Sequence, residues 1–195
     1  MRLALLAVAA LLLQEPAQPA PFLQIKEGAV WTYVTGDKEG KIKVTGRETI
    51  GQVETFVLTT EMGGDTSVKE FLAIDATGIR MLRQAAGTNT TDYNPPILRM
   101  KLPPAEKDAW EWKGEIGKEK ASIAYTNLGE EEITVPSGKY KAWKITAVME
   151  IGGVKHTGTN WFAPGIGLIR QQSEFESGGK KHKSLIELKS FEPGT

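Results

Sequence analysis

The sequence predicts an all-β protein, an antiparallel meander of about a dozen short strands that forms a curved sheet, an open half-barrel or a sandwich. Three observations carry this expectation. Segments rich in β-branched and aromatic residues alternate apolar and polar positions with a period of two. Gly, Pro, Asn and Asp turn signals separate them at a spacing of about 8–12 residues. Outside the N-terminus no segment carries an apolar stripe of helical period, the weakest exception being 104–110, where Ala105-Glu106-Lys107-Asp108 can form one helical turn.

At 195 residues the chain is most simply one domain, large enough to bury a core without metal or disulfide staples. Residues 1–20 read as a signal peptide with a short Pro-rich linker, and 21–195 as a single β-rich domain. Arg2 supplies a positive n-region and residues 3–13 an unbroken apolar h-region, too short to span a bilayer. Ala7-Val8-Ala9 has a small-x-small form but lies inside that run, so the cleavage position stays open. An uncleaved N-terminal anchor is the competing reading. The expected location is periplasmic or extracellular, with no membrane span in the mature chain.

From Phe22 onward the elements follow in order. A short apolar lead turns at Gly28 into a strand around Trp31 and Tyr33. Residues 41–50 place Ile42, Val44 and Ile50 on one face. Gly51-Gln52 then fits a two-residue type II′ hairpin into 53–60. Gly63-Gly64-Asp65 turns into 68–74, and a break at 75–78 leads to 79–84. Residues 87–96, rich in turn formers and ending in Asn94-Pro95-Pro96, read as a surface loop. A strand at 97–102 ends at Pro103-Pro104, and Trp110 and Trp112 share one face of the next strand. Residues 120–128 alternate again. Trp143, Ile145, Ala147, Met149 and Ile151 share a face before the Gly152-Gly153 hairpin. After Pro164-Gly165, strands at 168–175 and 185–191 complete the chain.

The composition excludes several functions. Lys plus Arg equals Asp plus Glu at 24 each, which argues against a nucleic-acid partner held by excess positive charge. Absence of cysteine excludes disulfides, thiol catalysis, Cys-ligated zinc and an N-terminal lipidated Cys. No Gly-x-Ser-x-Gly elbow, His-Glu-x-x-His helix, P-loop or dinucleotide fingerprint is present. No catalytic residue, cofactor or metal is therefore expected. His156 and His182 lie in charged, hairpin-like surroundings without a second ligand at diagnostic spacing. Glu111, Glu115 and Glu174 can serve as carboxylates only if the fold brings them together. Of the five tryptophans, each in an alternating strand, most are expected in the core. Trp110 and Trp112 are the candidate ligand-facing aromatics, because Glu111 and Lys113 leave the rest of their strand polar.

Several segments resemble bacterial exported proteins of unknown function, the TapB-like and related domain-of-unknown-function families of the envelope. Gly28, Trp31 and Tyr33 fit an opening Gly-x-x-Trp-x-Tyr segment. Val135, Pro136, Gly138, Tyr140, Ala142 and Ile145 fit a Val-Pro-x-Gly-x-Tyr/Phe-x-Ala-x-x-Ile/Val segment. Trp161, Phe162, Ala163, Pro164, Gly165, Gly167 and Leu168 fit a Trp-Tyr/Phe-Ala-Pro-Gly-x-Gly-Leu/Ile segment. The resemblance is good over 130–191 and patchy before it. It implies a β-rich envelope domain, some relatives looking like curved half-barrel lipoprotein carriers, and transfers no catalytic residue. One departure is that lipoprotein members carry an N-terminal Cys and this chain has none. The leading expectation is a non-catalytic module for a lipid or another apolar small molecule. The alternative is a structural module that binds an envelope protein through a strand edge or the 87–96 segment. A carbohydrate-binding protein or hydrolase ranks last.

Overall fold

A computed structural model describes residues 22–23, 25–62, 66–177 and 180–195. The expected signal peptide and linker lie outside the described residues. The chain forms β1 (Val30–Thr35), β2 (Lys38–Ile50), β3 (Val53–Met62), β4 (Thr66–Asp75), β5 (Gly78–Ala86) and β6 (Asn89–Lys101). It continues through β7 (Ala109–Ile116), β8 (Glu119–Val135), β9 (Gly138–Ile151), β10 (Val154–Ala163), β11 (Gly167–Ser177) and β12 (Lys180–Glu192). All belong to one 12-stranded antiparallel sheet of order β6-β5-β4-β3-β2-β1-β12-β11-β10-β9-β8-β7. Each strand pairs with its neighbours in sequence except β6 with β7, and β1 also pairs with β12 and so joins the two halves. The all-β meander expected from the alternation is present, and among the described residues no helix forms.

The sheet curls until its end strands face each other. β6 and β7 touch, yet no ladder joins them. Two indoles bridge this seam. Trp112 donates from Nε1 to the Pro95 carbonyl at 2.7 Å, and Trp110 to the Leu98 carbonyl at 2.8 Å. Spacing by two puts both rings on one face of β7, as the sequence requires. Trp112 is buried and meets Tyr93 edge-on at 6.1 Å, while half-buried Trp110 stacks on Tyr125 at 5.1 Å. Gly114 makes room for the first ring, since a Cβ there would lie 2.5 Å from Trp112 Cζ2.

Two expectations are corrected. Residues 89–96 are strand, part of β6, and not a surface loop; only 87–88 turn. Pro95 and Pro96 are tolerated because β6 ends the sheet and needs no second ladder. The helical turn expected near 105–108 is an ordinary turn, with Lys107 at φ 67° and the chain held by bonds to Asn127 at 2.8 and 2.9 Å. By contrast Gly51 adopts φ 64° between β2 and β3 with Gln52 not left-handed, as a II′ turn demands.

Long strands must bend to form a barrel, and bulges supply the bends. β2 bulges between Val44 and Gly46, β6 between Asp92 and Ile97 opposite Met81 and Arg83 of β5, and β8 between Asn127 and Glu130. At the last, Gly129 takes φ 95° and donates to the buried Asn127 Oδ1 at 3.0 Å. Beyond it the β8–β9 hairpin folds back over the sheet. β8 reaches β12, and Ser137 N–H donates to the Leu188 carbonyl at 3.0 Å. Ile133, Val135, Ala142 and Trp161 are buried there. Trp161 donates to Glu131 at 2.5 Å and lies under Lys144 and Arg170. The turn end of the β8–β9 hairpin thus packs against β12.

Candidate functional site

The up-and-down order sends alternate turns to opposite ends. The turns after β2, β4, β8 and β10 mark one end, which the N-terminal segment covers. Gly165 donates to the Phe22 carbonyl at 2.7 Å, and Gly28 to Val44 at 2.9 Å, so Leu23 and Ile25 are held against the interior. Trp31 and Tyr33 reinforce this region by reaching past β12 to the Ile166 and Leu168 carbonyls, each at 2.8 Å.

Between this cover and the opposite end lies a cavity of about 650 Å³, within the size range of small-molecule sites. Its wall is mostly apolar, with Ile97, Ile123, Met149, Phe162 and Ile186 pointing inward. Inward positions follow from the period-two alternation of the strands. At the far end the same inward face of β10, β11 and β12 ends in a cross-strand ladder. Phe175 is flanked by His156 at 5.4 Å and His182 at 4.9 Å. No group of three metal-ligating side chains occurs among the described residues.

Two charged side chains point into the cavity. Arg99 on β6 donates to both carboxylate oxygens of Glu70 on β4, at 2.6 and 3.1 Å, and from Nη2 to Met81 Sδ at 3.0 Å. Lys41 also borders the cavity, but its side chain is exposed on the outer face of β2. Arg99 lies deep in the protein and still keeps 33% of its side-chain surface accessible, because that surface is cavity wall. Burial lowers the Arg99 pKa, but the charge and hydrogen bonds of Glu70 outweigh it and the net direction is up. Burial raises the pKa of Tyr93 and of Tyr125, partly offset in each by Arg99. These phenols stay neutral donors and acceptors at the edge of the ion pair. On the opposite wall Gln171 donates to Asn160 at 2.8 Å.

A second hollow of about 970 Å³ lies outside, between β6 and the turns after β7 and β9. It is open, and charged groups including Asp92, Lys113 and Glu150 line it. Water fills such a space as well as any ligand, so the inner cavity is the candidate site.

The sequence-derived candidates lie elsewhere. Trp110 and Trp112 spend their N–H groups on the seam, and neither lines the cavity. Glu111 pairs with Lys113 at 2.9 Å and Glu174 with Lys183 at 2.8 Å, on the surface. Glu115 borders only the outer hollow. The structure does not bring these three carboxylates together. Glu70 and Arg99 were missed, although a signal existed. Val68-x-Glu70-x-Leu72 and Ile97-x-Arg99 each place a charge in the apolar phase of a strand.

A DUF3108-like family model matches residues 113–185, from β7 into β12. This agrees with the resemblance to exported proteins of unknown function. Among solved structures the chain is similar to a Bacteroides fragilis NCTC 9343 protein provisionally described as exported, with a YmcC-like fold. They share 16% identity and a TM-score of 0.51 over 89% of this chain and 99% of that one. A Parabacteroides distasonis ATCC 8503 protein provisionally described as a lipoprotein aligns with TM-score 0.46 and 15% identity, over 88% of this chain and 98% of that one. No curated protein matches the chain. The chain is thus an all-β protein with a DUF3108-like segment at 113–185, in the barrel-like architecture described as YmcC-like.

Proposed function

We propose that the protein is an exported, non-catalytic carrier that shelters a lipid-like amphiphile inside its barrel. The observation that carries this reading is the cavity of about 650 Å³ with a predominantly apolar wall. Transfer of apolar surface from water to such a wall is favourable by about 25 cal/mol per Å². Exchange of a ligand between membranes or proteins needs such reversible shelter and no reacting group. Among the described residues of the wall no nucleophile sits beside a base, which supports binding over catalysis. Export is supported by Arg2 and the apolar run at 3–13, and by the exported description of the B. fragilis protein of similar fold.

The test is to purify the protein from cell envelopes, extract it with organic solvent and analyse the extract by mass spectrometry. One lipid-like molecule per chain is the expected result. A protein free of lipid but carrying a stoichiometric protein partner would overturn the carrier reading in favour of an interaction module.

A further inference from the structure

The apolar interior of the barrel holds an ion pair. Arg99 and Glu70 are the charged side chains directed into the cavity, and they are already paired by two hydrogen bonds of 2.6 and 3.1 Å. Their charges cancel, so an anionic headgroup would sit beside Glu70 with no cation left for it. A cationic one would meet Arg99 in the same way. Either leaves a net charge within an apolar wall, which is costly.

The pair nevertheless retains hydrogen-bonding capacity of both kinds. Arg99 spends Nη1 and Nη2 on Glu70 and Met81, and its Nε–H makes no bond among the described residues. Each Glu70 oxygen accepts one bond from Arg99 and has a further lone pair. Tyr125 and Gln84 lie on the same cavity wall. A hydroxyl group both donates and accepts, and so meets this edge without bringing charge.

Resting on the carrier reading above, we propose that the ligand is an amphiphile with an uncharged, hydroxyl-bearing headgroup. The headgroup is seated on the Arg99–Glu70 pair, with its acyl chain along the apolar wall. A monoacylglycerol has this chemistry, whereas a fatty acid or an alkylamine does not.

The experiment compares glycerol monolaurate, laurate and dodecylammonium, which share one chain length and differ in head charge. Binding to the full chain at neutral pH is measured by calorimetry. Wild-type protein is expected to bind glycerol monolaurate about tenfold or more tighter than either ion. Glu70→Gln frees the Arg99 charge and is expected to turn the preference toward laurate. Arg99→Met, which leaves Glu70 unpaired, is expected to weaken laurate further. Laurate or dodecylammonium binding as tightly as the glycerol ester to wild type would overturn the headgroup assignment and leave the carrier reading standing. Failure of all three to bind would overturn both. Wild-type selectivity alone decides if a variant does not fold.

Discussion

Arg99 on β6 reaches across β5 to hold Glu70 on β4 by both carboxylate oxygens, inside the barrel. Two interior charges that satisfy each other are tolerable, whereas one alone is not. Glu70→Leu is therefore expected to lower stability by about 3 kcal/mol, the low end of the range for breaking a buried pair, because the cavity keeps part of Arg99 accessible. Glu70→Leu/Arg99→Met is expected to cost less than either single change. Urea denaturation of the three variants checks this. A double variant that loses the sum of the single losses would show that the pair is not coupled.

The seam between β6 and β7 is expected to depend on indole donors. Trp112→Phe and Trp110→Phe each keep most of the apolar ring and remove one N–H bond, for a loss of about 1 kcal/mol each. Hydrogen exchange of the amides around Pro95 to Met100 should accelerate most in the double variant. Unchanged exchange there would mean that ring packing alone closes the barrel.

Gly114→Ala tests the same seam from the other side. The added Cβ meets the Trp112 ring at 2.5 Å, a clash with a buried aromatic that cannot swing into water. Overpacking of this kind costs about 1–3 kcal/mol. A melting temperature equal to wild type would show that the ring has room to shift.

Gly165→Val is expected to destabilise for a different reason. Gly165 has φ 77°, and a Cβ there finds open space, so the penalty is conformational and not steric contact with neighbours. A left-handed residue with a side chain costs about 1–2 kcal/mol, with the β-branched valine toward the upper end. Gly165→Asn should lose less than Gly165→Val, since Asn tolerates this region. Equal losses in thermal unfolding would point instead to disruption of the Gly165–Phe22 bond.

The folded-back hairpin introduces an acid sensitivity. The hydrogen bond from Trp161 lowers the Glu131 pKa most; burial opposes it, and the hydrogen bond and charge of Lys144 with the charge of Arg170 keep the net direction down. A carboxylate with a depressed folded pKa contributes stability that is present above the ordinary Glu value of about 4.3 and lost as pH falls through the folded value. Acid unfolding of Trp161→Phe should therefore show less loss of stability in that window than wild type. Parallel pH–stability curves would remove Glu131 from the account.

The strand pattern was legible because each segment needs only its own alternation and turn residues. Gly51, Gly152-Gly153 and Pro164-Gly165 mark turns by local backbone demands, and the structure has turns at each. Residues 89–96 misled because prolines exclude a central strand but not an end strand, and end position depends on how the sheet closes. The site was harder to read. Whether Trp112 faces a ligand or a seam depends on what stands opposite it, and Pro95 is 17 residues away in sequence. Glu70 and Arg99 become a pair only when β4, β5 and β6 lie side by side, although each stands out as a charge among apolar alternates.

The most direct test of the central claim is a Nile red titration of wild-type protein and Ala147→Phe. Ala147 lines the cavity, and a phenylalanine there would fill part of it. A carrier predicts one saturable site in wild type that is lost in the variant, with thermal unfolding still cooperative in both. Equal dye binding by both proteins, or none by wild type, would contradict it.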